Sequence, residues 1–136
     1  MDREHVIELK KQLTERGSSF ADGFYKFLFE SSPQLAKMFR NTNLKEQKIR
    51  LIEGLIETLN LLNDPQEFND YLENLGVRHI AYEVEAGHYP IVKDALIYAL
   101  KELKVLPLEE CVKFTDIIVS SMLSGVCHAE EAVYRE

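Results

Sequence analysis

The chain has 136 residues, 46% of them apolar, which suits one globular domain spanning 1–136 with a full hydrophobic core. Sixteen Lys and Arg against 23 Asp and Glu give a net charge of −7, with the basic residues dispersed. Neither nucleic acid nor an anionic membrane surface is therefore expected as a partner. The N-terminus MDREHVIELKK lacks the apolar core of a signal peptide, and no apolar run approaches membrane-spanning length. Cys111 and Cys127 stand sixteen residues apart in no metal-site or redox pattern, as small apolar residues of a reduced, cytoplasmic protein do.

In chain order every segment reads as helix, and none alternates with period two for long enough to form a strand. Val6, Leu9 and Leu13 mark one face of a first helix, which Gly17-Ser18-Ser19 interrupts or ends. Phe20, Phe24, Phe27 and Leu28 recur at helical spacing until Ser31-Ser32-Pro33, where Ser32 caps a short helix with Pro33 in its first turn. That short helix carries Leu35, Met38 and Phe39, and Arg40 to Asn43 form a polar connection.

The longest periodic segment runs from Leu44 to Leu62, with Leu51, Leu55, Leu59 and Leu62 on one side and Ile52 and Ile56 beside them. Asn63-Asp64-Pro65 is a stop, a cap and a proline at the first helical position. Pro90 opens the next helix, with Ile91, Ala95 and Tyr98 on one stripe and Leu96, Leu100 and Leu103 on the next. Pro107 starts the last, which carries Val112, Ile117, Ile118, Met122, Val126 and Ala129 to about Tyr134. The expected fold class is all-α, without repeats, low-complexity tracts or linkers.

The helix before Pro90 holds the most informative residue. His79 follows Leu72 by seven and Leu75 by four residues, which puts it on the apolar stripe of its helix, facing inward. A histidine facing a core either finds a hydrogen-bond partner or binds something. Taken alone, the satisfied core histidine is the commoner outcome.

Four segments together carry a family resemblance: Phe24-Tyr25-Lys26-Phe27-Leu28-Phe29, Pro33 to Phe39, Arg78-His79, and His88-Tyr89-Pro90-Ile91-Val92. With Phe39 eight residues before Gln47, and Gln47 thirty-two before His79, the chain resembles a bacterial single-domain globin, similar to the haem domain of flavohaemoglobins. The likeness runs from about residue 5 to 134. It implies a globin fold packed around haem b (iron protoporphyrin IX), with His79 as the proximal ligand to the metal and Phe39 on the porphyrin face. Tyr25, Gln47 and Leu51 match the distal-pocket positions, and Leu51 and Val84 supply apolar walls with Phe39.

These residue types suit that cofactor. Haem is a flat apolar disc with two charged propionates, and needs an apolar slot and one strong axial ligand. Dioxygen on ferrous iron gains partial superoxide character, so the donors Tyr25 and Gln47 are expected to slow its escape. Leu51, one turn after Gln47, is apolar as the pocket register requires. A slip of one residue in the preceding loop would turn Glu46 or Lys48 inward instead.

On the proximal side, Tyr89 and Glu130 match the residues that hydrogen-bond around the histidine, with Glu131 the alternative carboxylate. A carboxylate accepting the ring N–H makes the histidine a stronger electron donor to iron. Arg78 and Lys48 carry the charge to meet propionates. His5, His88 and His128 match no ligand, and His88 is expected to be exposed at its turn.

The resemblance implies reversible binding of dioxygen and other diatomic gases (nitric oxide, carbon monoxide) and nitric oxide dioxygenation to nitrate. With the chain ending at Glu136, turnover is expected to need an external reductase. Related proteins are monomers or dimers. The alternatives are a simple oxygen carrier, a gas or redox sensor, and a haem-free helical interaction module.

Overall fold

A computed structural model describes the backbone of residues 1–81 and 86–135 and the side chains of residues 1–76, 78 and 87–126. The helices are α1 (Arg3–Glu15), α2 (Gly17–Ser31), α3 (Pro33–Met38), α4 (Leu44–Asn60), α5 (Pro65–Ala81), α6 (Tyr89–Glu102) and α7 (Leu108–Arg135). A short 3₁₀ turn, Ala86–His88, leads into α6. The described residues contain no strand, which agrees with the all-α reading.

Caps set most of the boundaries. The Asp2 carboxylate accepts the His5 N–H at 2.8 Å, the Ser32 hydroxyl that of Leu35 at 3.3 Å, and the Asn43 amide oxygen that of Glu46 at 3.2 Å. The Asp64 carboxylate accepts the Glu67 N–H at 3.1 Å, with Pro65 next, as its sequence foretold. Each such cap contributes about 1 kcal/mol by occupying an otherwise orphaned donor. Gly17-Ser18-Ser19 turns out to be the first turn of α2, entered directly from Arg16. Lys104, with φ 58°, stands in the left-handed conformation just after α6.

One contiguous core joins the helices. Leu9 and Leu13 come from α1, Phe20, Phe24, Tyr25 and Leu28 from α2, and Leu55 and Leu59 from α4. Phe68 and Leu72 on α5 meet Ala95, Leu96, Ala99 and Leu100 of α6 and Cys111, Phe114, Ile118 and Met122 of α7 in the same cluster. The most extensive pairing is α5 against α7, followed by α2 against α6.

Three side chains depart from expectation. Ile117 is 52% exposed, because α7 turns Cys111, Phe114, Thr115, Ile118 and Met122 inward and leaves Ile117 outside that stripe. Tyr98 is 41% exposed and lies flat on Phe27, ring centroids 5.1 Å apart. His88 is only 7% exposed, because its turn is folded onto the start of α6. Cys111 is fully buried and its thiol points at the Leu106 carbonyl, 3.7 Å away, while the Cys127 and His128 side chains lie outside the described residues. Among the described residues no helix is long and apolar enough to cross a membrane.

Candidate functional site

Tyr25 is the centre of an aromatic cluster between α2 and the α3–α4 connection. Phe29 follows it by four residues on the same face of α2, and the two rings lie 5.7 Å apart. The short helix α3 turns the chain back so that Phe39, its C-cap residue, presents its ring to both. Phe39 stands edge-on to Tyr25 at 5.8 Å and tilted to Phe29 at 5.4 Å. Phe24 closes the other side, perpendicular to Tyr25 at 5.0 Å. Each such pair adds about 0.5–1.5 kcal/mol to the burial of its rings.

Tyr25 is 7% exposed. Burial pushes its phenol up to about 12, because the phenolate would lose its hydration. The group is therefore a neutral O–H donor throughout the ordinary pH range.

Helix α4 brings Gln47 and Leu51 alongside. Gln47 is half-buried, while Glu46 is exposed. The Lys48 ammonium reaches the Asp22 carboxylate of α2 at 2.9 Å, which gives this cation a partner other than the propionate suggested by its charge. Leu51, one turn beyond Gln47, packs against the core, and Leu55 and Leu59 continue its stripe into full burial.

Helix α5 buries Leu72 completely and half-buries Leu75, and its backbone runs on through His79 to Ala81. The side chains of His79, Glu130 and Glu131, and all of Val84, lie outside the described residues. The Arg78 guanidinium lies near enough to Tyr71 to act on its hydroxyl, which gives this cation a neighbour other than a propionate. Tyr89 opens α6 at 2% exposure, and its buried hydroxyl has no hydrogen-bond partner among the described residues. Burial pushes this phenol up as well.

An unsatisfied buried hydroxyl costs about 1–3 kcal/mol. Tyr89 pays this for no structural return visible among the described groups. The Tyr25 donor in its ring cluster with Phe39, the apolar Leu51 on α4 and the unpartnered Tyr89 hydroxyl at the start of α6 suit a flat apolar group that carries a polar ligand. Haem has those properties. A separate surface groove of about 220 Å³ between α2 and α6, bordered by Arg16, Tyr98 and Glu102, shares no residue with this set.

Tyr25 and Phe39, far apart in sequence spacing, are thus brought into contact, and α4 carries Gln47 and Leu51 against the same helix α2. Phe29 and Asp22 had been given no role. The spacing of Phe29, one turn after Tyr25, was a usable signal; nothing local marked Asp22 as the partner of Lys48.

A family model described as Globin matches residues 22–111. The flavohemoprotein of Bacillus thuringiensis subsp. konkukian is 30% identical over 112 residues, covering 78% of this chain and 28% of that protein. The flavohemoprotein of Xylella fastidiosa strain Temecula1 is 29% identical over 105 residues, covering 73% of this chain and 26% of its own length. An uncharacterized globin-like protein of Aquifex aeolicus is 23% identical over 124 residues, 91% of this chain and 88% of that one. The chain thus spans little more than a quarter of the length of the flavohemoproteins it matches.

Proposed function

The chain belongs to the globin family, and we propose that this haem-binding globin would hold haem b through His79 and take up dioxygen beside Tyr25 and Gln47. The observation that carries the reading is Tyr25, a buried side chain whose phenol stays protonated, in a ring cluster with Phe39. When bound, haem would supply a ferrous iron able to take up a diatomic gas.

The chain's own residues do the rest. Tyr25 donates its O–H to a polar ligand, and the Gln47 amide is a second donor. Phe39, Leu51 and Val84 exclude water, which strengthens both hydrogen bonds by lowering the local dielectric. Tyr89 and Glu130 are assigned to the proximal side, where a partner for the ring N–H fixes its tautomer and raises its basicity. A strongly donating histidine favours oxygen chemistry over carriage. We therefore assign the reaction as nitric oxide dioxygenation, in which nitric oxide and dioxygen combine to nitrate with one electron supplied per turnover by an external reductase. The cytoplasm, where such a reductase and reduced thiols coexist, is the setting that fits this reaction.

Protein expressed with haem supplied should show a Soret band that His79→Ala removes. Absence of the band in the wild type would sink the haem reading. Stopped-flow mixing of the oxygenated protein with nitric oxide should give ferric protein and nitrate within the mixing time or shortly after. A slow reaction would leave a carrier.

A further inference from the structure

Helices α5 and α7 meet backbone to backbone. A Cβ added to Gly76 would fall on the Met122 carbonyl of α7, with the carbonyl carbon at 2.8 Å and the Met122 Cα at 3.0 Å. A Cβ added to Gly125 would fall on the Glu73 backbone of α5, 2.6 Å from its Cα and 2.7 Å from its carbonyl carbon. The contacts are reciprocal, each helix turning its glycine onto the main chain of the other. Main-chain atoms cannot swing aside as a side chain can, so this pair of helices lies closer than any other residue at these positions would allow.

Two further features mark the crossing. The Ser124 hydroxyl donates to the Glu73 carboxylate at 3.2 Å, clipping the two helices together beside Gly125. The other described helical glycines differ: a Cβ on Gly23 would meet only the Tyr98 ring, at an ordinary 3.8 Å, one on Gly54 only the Tyr71 hydroxyl, at 3.5 Å, and one on Gly17 only side-chain atoms of Ile52. Glycine in a helix interior costs about 1 kcal/mol relative to alanine. Gly76 and Gly125 accept that cost where the approach requires it.

Gly76 precedes His79 by three residues of one helix, a rise of about 4.5 Å and less than a turn. We propose that the Gly76–Gly125 crossing positions the His79 end of α5, and that its closeness sets the tension on the axial bond to haem. The proposal rests on His79 being that ligand. Gly76 and Gly125 are positioning residues that touch neither cofactor nor gas. A methyl group at either would lift α5 from α7 and carry the histidine backbone with it.

The test is resonance Raman spectroscopy of the ferrous, ligand-free holoprotein, together with the rate of haem loss to an excess of a haem-scavenging apoprotein. Gly76→Ala and Gly125→Ala should shift the iron–histidine stretching band and speed haem loss on the order of tenfold. Gly23→Ala, the matched control, should change neither. A lowered melting temperature in both crossing variants with an unmoved band would mean that the glycines serve packing alone, and would overturn the proposal. Where the alanine variants do not fold, Ser124→Ala decides, since it removes the clip without adding bulk: a shifted band supports the proposal and an unchanged one overturns it. A wild-type protein with no iron–histidine band, or one whose band survives His79→Ala, would show instead that the ligand assignment had failed.

Discussion

The Lys48 ammonium lies 2.9 Å from the Asp22 carboxylate, joining α4 to α2 one residue after Gln47 and three before Tyr25. The pair holds together the two helices that carry the proposed gas-side donors. Its carboxylate is mostly exposed and its ammonium partly so, which limits it to less than about 1 kcal/mol. Asp22→Asn should therefore lower unfolding stability by a few tenths of a kcal/mol at low ionic strength and by nothing measurable in 1 M salt, as about a 3 Å screening length requires. Urea titrations at the two salt concentrations check this.

Tyr25→Phe should retain haem and accelerate dioxygen release. A hydrogen bond to a charged acceptor is worth roughly 1.5–3 kcal/mol, or about ten- to a hundred-fold in dissociation. An unchanged off-rate by flash photolysis or stopped flow would remove Tyr25 from the pocket.

The same residue makes a pH prediction. Its folded-state pKa is raised to about 12 from an ordinary value near 10, so the unfolded chain loses the proton first. The stability this contributes is complete below about pH 10 and is lost as pH rises through about 12. Tyr71 and Tyr89, also raised by burial, add to the alkaline loss. Tyr25→Phe should flatten the fall of unfolding free energy above pH 10, by up to about 1.4 kcal/mol per pH unit.

Gln47 and Glu46 separate the two registers of α4. Gln47 is half-buried and Glu46 exposed, so Gln47→Leu should speed dioxygen release and Glu46→Ala should leave it unaltered. The reverse pattern would move the pocket register by one residue.

Two substitutions away from the site should stabilise the fold. The Thr115 side chain is wholly buried and its hydroxyl has no hydrogen-bond partner among the described residues. Thr115→Val keeps the shape and removes the unsatisfied group, for a gain of about 1–2 kcal/mol. Gly23→Ala fills open space beside Tyr98 and should gain up to about 1 kcal/mol. Denaturant melts of both variants should show higher midpoints.

Local chemistry made much of this chain legible in one dimension. Ser32-Pro33 and Asp64-Pro65 mark helix starts because the cap side chain and the proline act within one turn. The stripe Leu51, Leu55, Leu59 shows its inward face because burial on a helix repeats every 3.6 residues. The spacing of Tyr25, Phe39, Gln47 and His79 carried the family resemblance, and the match over residues 22–111 agrees with it. Contacts between distant segments left no such trace. Asp22 and Lys48 each read as a solvated charge until α2 and α4 are packed, and His88 read as an exposed turn residue until its turn closed on α6. Gly76 and Gly125 are forty-nine residues apart, and each alone is only a weak helix former. That both are required by one backbone crossing beside the His79 helix end is a property of two helices at once. Periodicity along one chain records which face is buried, but the distance between two buried faces is set only when they meet.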